Sequence, residues 1–157
     1  MTNYKDLKIL AIIPARGGSK AIPRKNIIKV AGKPLLHYTT NAAIESKFIN
    51  RIILSTDDDK IARLGKQLGV EVPFIRPSKF AQDNTPTTEV IKHTLDFLKN
   101  NEDYSPDLII LLQPTSPLRK VLHIDDAFSN ALPNPTLTQL LCVTSKYSET
   151  FVSSESK

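Results

Sequence analysis

Ile9 to Ile13 is an unbroken apolar run that stops at Pro14 and drops into Ala15-Arg16-Gly17-Gly18-Ser19-Lys20. A second run, Leu108 to Leu112, follows Asp107 and stops at Gln113-Pro114. Neither run alternates polar with apolar residues. A strand with that composition must be covered on both faces, which is the situation inside a parallel sheet flanked by helices. No other feature of the chain restricts its fold as strongly.

Helical and extended patterns alternate between and around the two runs. Pro34 opens a helical stripe through Leu35, Tyr38, Ala42 and Ile44 to about Lys47. Arg51 to Thr56 is a second strand, and Asp57-Asp58-Asp59 after it suits the N-terminus of a helix over Ile61, Leu64 and Leu68 that Gly69 stops. A cation site is the alternative reading of those three acids. Val70 to Ile75 is a third strand interrupted by Pro73, hence an edge. Thr85 caps a helix with Pro86 as its first residue, and Val90, Ile91, Thr94, Leu95 and Leu98 form its buried stripe. His93 falls off that stripe and is expected on the surface. Asp107 to Leu112 is the fourth strand, His123 to Leu132 a helix with His123 in a structural role, and Thr138 to Thr144 a last strand. Residues 1–144 read as one domain, and 145–157 as a frayed tail without apolar periodicity. The whole is a three-layer α/β/α fold with a mostly parallel sheet.

In such a sheet ligands bind beyond the C-terminal ends of the strands. The loops at those ends are Ala15–Asn26, Arg76–Thr88 and Gln113–Arg119. The first holds Arg16, Lys20, Arg24 and Lys25 together with Gly17 and Gly18. Cations and backbone N–H groups in a glycine-bearing loop suit a polyphosphate, and a solvated basic turn is the plainer reading. The spacing satisfies neither G-x-G-x-x-G nor G-x-x-x-x-G-K-[ST], which argues against a dinucleotide fold or a P-loop kinase or ATPase. The net charge of +5 favours anionic ligands. With 6% aromatic residues and no tryptophan, the chain lacks the stacking platforms of a single-strand nucleic-acid binder. Cys142 is the only cysteine, so no disulfide framework or cysteine-rich zinc site exists, and its apolar neighbours place it in the core. No signal peptide or membrane span is recognisable, and a cytoplasmic protein is expected.

The order of motifs is also distinctive. Pro14-Ala15-Arg16-Gly17-Gly18-Ser19-Lys20 with Ile22-Pro23-Arg24-Lys25-Asn26, then Ser55-Thr56-Asp57, Arg76-Pro77, Ala81-Gln82-Asp83, Thr85, Thr87 and Thr88, and finally Gln113-Pro114-Thr115-Ser116-Pro117-Leu118-Arg119, resembles the acylneuraminate cytidylyltransferases. The resemblance implies a nucleotide-diphosphosugar-transferase-like fold. It implies transfer of CMP from CTP to a nine-carbon α-keto acid sugar of the sialic, legionaminic or pseudaminic type, with release of pyrophosphate and use of Mg²⁺. By the same resemblance Arg16 and Lys25 are the catalytic cations. Arg16, Gly17, Ser19, Lys20, Asn26, Arg76 and Thr87 bind the nucleotide, and Gln113, Thr115 and Ser116 the sugar. CTP and an acidic sugar are the implied partners, with a family-type homodimer and no nucleic acid or membrane. The enzymes that activate an eight-carbon keto acid have a related first loop, which Gly17-Gly18-Ser19-Lys20 and Lys25-Asn26 fit less well. The family extends beyond the point matched by Leu132, into a segment with acidic metal ligands, sugar contacts and dimer interface. A C-terminally truncated chain, with its metal ligands not identifiable, is therefore expected, and a non-catalytic nucleotide-binding remnant is the alternative to an enzyme.

Overall fold

The structure, a computed structural model, describes residues 6–131, 139–143 and 148–152, with side chains over residues 6–129. Its main sheet has five strands in the order β4-β1-β5-β6-β7. These are β1 (Ile9–Pro14), β4 (Arg51–Ser55), β5 (Leu108–Leu111), β6 (Gln139–Val143) and β7 (Ser148–Val152). The two-residue strands β2 (Lys29–Val30) and β3 (Lys33–Pro34) form a separate antiparallel ribbon. β1 lies between β4 and β5 and is parallel to both, β5 is parallel to β6, and only β7 runs antiparallel.

The unbroken apolar runs have the predicted cause. Ile9, Ala11 and Ile13 face one core, with Leu36, Ala42 and Ala43 of α1 (Leu35–Glu45), Ile61 of α2 (Asp59–Gln67), and Ile124 and Phe128 of α4 (Val121–Ala131). Leu10 and Ile12 face the other, with Ile91 and Leu98 of α3 (Thr87–Glu102) and Ile109 and Leu111 of β5. Helices cover both faces of a mostly parallel sheet, which is the α/β/α arrangement expected. On the first face Ser46 Oγ donates to Asp125 Oδ1 at 2.7 Å and ties α1 to α4.

Three local expectations are corrected. Residues 70–75 form no strand. Glu71 alone makes a parallel bridge to Ile53, because Val70 N–H turns back to Gly65 O and Pro73 has no N–H to continue the ladder. α3 starts one residue late, with Pro86 at the N-cap, because the Thr85 hydroxyl is engaged by Gln82 N–H and Lys79 O within its own loop. Within 145–157, residues Ser148–Val152 are a strand, not a tail, and the Thr-Phe-Val at its end is β-favouring sequence that a search for helical periodicity passes over. The core placement expected for Cys142 concerns a side chain outside the described residues.

The ends of α2 follow the sequence closely, whereas α4 begins at Val121, two residues before the expected His123. Asp58 caps α2, its Oδ1 accepting from Lys60 N–H at 2.7 Å and Ile61 N–H at 3.0 Å. Gly69 follows α2 with φ +88°, the left-handed stop. His123 takes the structural role, its Nδ1 accepting from Lys120 N–H at 3.1 Å. Asp58→Ala leaves two helix N–H groups unmet and is expected to cost about 1 kcal/mol, or a melting shift of about 2–4 °C. A thermal melt by circular dichroism checks this, and an unchanged midpoint would contradict it.

Candidate functional site

β1 and β5 are hydrogen-bonded neighbours, so their exit loops emerge side by side at the C-terminal edge of the sheet. A cleft of about 210 Å³ opens there. Pro14, Arg16, Lys25 and Asn26 line it from the β1 side, and Gln113, Pro114 and Thr115 from the β5 side. The third wall comes from residues 76–90: Arg76, Phe80, Gln82, Asp83, Thr85, Thr87 and Val90. The exit loops of β1 and β5 and the segment 76–90, which follows no strand, thus meet in one place. Arg16, Lys25, Asn26, Arg76, Thr87, Gln113 and Thr115 are brought together, while Gly17, Ser19, Lys20 and Ser116 do not line the cleft.

Lys20 reaches it indirectly. Its Nζ and Arg16 Nη1 each lie 2.6 Å from a different oxygen of Asp83, a residue of the third wall. Lys20 and then Arg16 hold the Asp83 carboxyl below the usual carboxylate range. Asp83 is the anion that these two cations share.

Arg76 is the least expected member. Its side chain is 3% exposed, yet Nε and Nη2 have no hydrogen-bond partner. The nearest countercharge is Asp57, 4.0 Å from Nη2. Burial pushes the guanidinium pKa down, partly opposed by Asp57, and Arg16 pushes in the same direction as burial. A guanidinium remains charged even so. Buried donors of this strength are ordinarily satisfied, so two of them at the wall of a cleft mark a place for an acceptor-rich ligand.

The first loop is braced from behind. Asp57 Oδ1 accepts from Gly17 N–H at 2.9 Å, and Asn26 Nδ2 donates to Arg16 O at 3.0 Å. A Cβ on Gly17 would lie 2.7 Å from Asp58 Cβ, so this position must be glycine for the loop to sit on the start of α2. Gly17 therefore serves an approach between loops, where close approach of a ligand was expected; Gly18 has nothing within 4 Å of its would-be Cβ and shows no such constraint. Asp57 and Asp58 are engaged as loop brace and helix cap. Among the described residues no three His, Cys, Asp or Glu side chains gather as a metal-ligand set.

On the β5 side, buried Arg119 donates through Nη1 to Thr39 Oγ1 at 3.3 Å and through Nη2 to Gln113 O at 3.1 Å. This holds the backbone of Gln113 while its side chain stays exposed at the cleft. Sequence reasoning weighed Asp83 only as part of a motif and did not assign it to the site. Its pairing with Arg16 spans 67 positions, and the only local signal was Ala81-Gln82-Asp83 in a polar loop before a helix.

The sequence profile described as cytidylyltransferase matches residues 10–156. The chain is similar to the CMP-N,N'-diacetyllegionaminic acid synthase of Legionella pneumophila, 44% identical over 116 residues, covering 73% of this chain and 49% of that protein. It is 36% identical over 129 residues to the pseudaminic acid cytidylyltransferase of Campylobacter jejuni, covering 82% of this chain and 55% of that protein. It is 39% identical over 120 residues to the N-acylneuraminate cytidylyltransferase of Escherichia coli, covering 76% of this chain and 27% of that one. The chain thus spans about half the length of the first two relatives and about a quarter of the third. Among solved structures, a cytidylyltransferase from Leptospira borgpetersenii superposes with a TM-score of 0.67 at 26% identity, over 86% of this chain and 53% of that one. A CMP:2-keto-3-deoxy-manno-octonic acid synthetase in complex with CTP shares the fold, with a TM-score of 0.69 at 20% identity over 83% and 49% of the two chains. The profile runs over nearly the whole chain and over all three loops that build the cleft, and the chain belongs to the cytidylyltransferase family.

Proposed function

We propose that this chain binds CTP in the cleft and carries the nucleotide site of an enzyme that transfers CMP to a nine-carbon α-keto acid sugar. The observation that carries this reading is Arg76, a buried guanidinium with two unpartnered N–H donors at a cleft also lined by Arg16 and Lys25, in a chain of the cytidylyltransferase family. In the reaction the anomeric hydroxyl attacks the α-phosphorus and gives up its proton to water, the bond to the bridging oxygen breaks, and pyrophosphate leaves. Charge builds on non-bridging and leaving oxygens, where fixed cations stabilise it without reorganising. Arg16 and Lys25 take that role. Arg76 and Thr87 lie towards the cytidine, and Gln113 and Thr115 towards the sugar. Among the described residues no three His, Cys, Asp or Glu side chains gather around a cation, and no step here is routed through Mg²⁺. No helix among the described residues is long and apolar enough to cross a membrane, and we place the reaction in the cytoplasm, where CTP is available. A second copy of the chain is the protein partner in this reading, with the exposed Leu118 and Leu122 offering it apolar surface.

Titration calorimetry with CTP and ATP tests the nucleotide reading. CTP is expected to bind at least about tenfold tighter, a difference of about 1.4 kcal/mol. Equal affinities would remove the assignment of the cleft to cytidine. Formation of CMP-sugar from CTP and a panel of nine-carbon keto acids tests the transfer itself.

A further inference from the structure

Behind the third wall of the cleft, α3 carries an aromatic stack. The His93 ring stands between Phe74, at 4.8 Å between centroids and 85° between planes, and Phe80, at 5.0 Å and 45°. Phe97, one turn further along α3, packs on Phe74 at 4.9 Å. His93 is half-buried, and its Nδ1 is shut off from solvent with no hydrogen-bond partner. A phenylalanine would fill the same place without leaving a ring nitrogen unmet. Phe80 has two sides: it lines the cleft, and it lines the groove on the outer side of α3 where His93 lies. The ring that His93 holds is therefore part of the ligand site.

We infer that His93 is a positioning residue for the nucleotide cleft: its neutral ring fixes Phe80 and the loop that carries Arg76 and Asp83, and protonation of that ring loosens the loop and weakens nucleotide binding. The inference rests on the nucleotide-binding reading of the cleft. The charged groups that bear on the ring are Arg76 from the segment before the short turn Ser78–Phe80, Lys79 from that turn, and Asp96 from α3 itself; Glu89 and Lys92 share its groove. Aromatic faces attract a cation, which favours the imidazolium. Burial acts against it, Arg76 and Lys79 act in the same direction, and Asp96 opposes them, with the outcome that the pKa is lowered from 6.5. The neutral ring is thus the folded form. Its contribution is complete above 6.5 and is lost as pH falls through the lowered value.

The test measures the CTP dissociation constant by calorimetry from about pH 8 to about pH 5.5 for the wild type, H93F and H93A. The γ-phosphate of CTP titrates in the same range, so H93F, with a ring and no proton site, supplies the reference slope. At about pH 8, H93A is expected to bind about fivefold more weakly than the wild type, and H93F to rescue most of that loss. At about pH 5.5 the wild type is expected to have lost about twofold more affinity than H93F, the ceiling for a group that titrates near that pH. Parallel pH profiles for wild type and H93F would overturn the inference and leave the nucleotide reading standing, as would H93A binding like wild type. A wild type that fails to bind CTP at about pH 8 would overturn the nucleotide reading itself. If H93A does not fold, the wild-type and H93F profiles decide the matter.

Discussion

Arg76→Met is expected to abolish most nucleotide affinity and, at the same time, to make the empty protein more stable. The two effects share one cause. The Arg76 side chain is 3% exposed, two of its nitrogens are unpartnered, and Asp57 at 4.0 Å only partly balances its charge. Replacing a whole buried ion pair by apolar side chains is often stabilising by about 1–4 kcal/mol, and Arg76, with two donors unmet and Asp57 4.0 Å away, behaves more like an unpaired buried charge than like a member of a pair. The lower end applies here, because Asp57 keeps its bond to Gly17 N–H and some access to water. In the complex the same two donors each gain an acceptor. Losing two charge-assisted bonds costs about 3 kcal/mol or more, over a hundredfold in affinity. Denaturant unfolding of the free protein and calorimetry with CTP measure the two sides. A variant that loses stability and keeps its affinity would show that Arg76 is a structural ion pair.

Arg16→Ala is expected to weaken CTP binding about ten- to a hundredfold, whereas the exposed Lys66→Ala on α2 changes it little. Arg16 leaves the end of β1, and its backbone carbonyl is pinned by Asn26, so its guanidinium starts from a fixed position. Its ion pair with Asp83 at 2.6 Å is partly exposed and contributes little to stability. Melting temperatures of Arg16→Ala and wild type should therefore agree closely while affinities diverge. Equal binding losses for Arg16→Ala and Lys66→Ala would mean that the basic loop acts only through net charge.

The parts legible in the sequence are those governed by neighbours along the chain. The double-faced burial of β1 and β5 was readable because an apolar run without alternation has only one comfortable environment. The cap at Asp58 and the stop at Gly69 follow from side-chain and backbone chemistry within one turn. The meeting of the β1 and β5 exit loops followed from strand ends sharing an edge, whereas the segment 76–90 joins them without a strand before it. What escaped depends on approach between distant residues. Asp83 meets Arg16 across 67 positions. Asp57 faces the first loop because α2 is docked beneath Gly17. His93 lies off the apolar stripe of α3, but the segment carrying Phe74 and Phe80 folds over that flank and half-buries it. A periodicity argument sees only the sheet-facing side of a helix. The strand at Ser148–Val152 was missed for a related reason, because five residues are too few for a pattern to stand out from a polar stretch.

The central position of β1 has a consequence during synthesis. β1 is complete at Pro14, but its partner β4 ends at Ser55 and its other partner β5 begins at Leu108. At roughly 5–20 residues per second on the ribosome, the Ile9–Ile13 run waits about 2–8 s for its first partner and about 5–20 s for its second. Until β4 emerges this apolar strand is unpaired on both edges, and one edge stays open until β5 follows. Binding by a chaperone competes there with aggregation, and the long sequence separation of the parallel pairs slows the closing step that ends the competition.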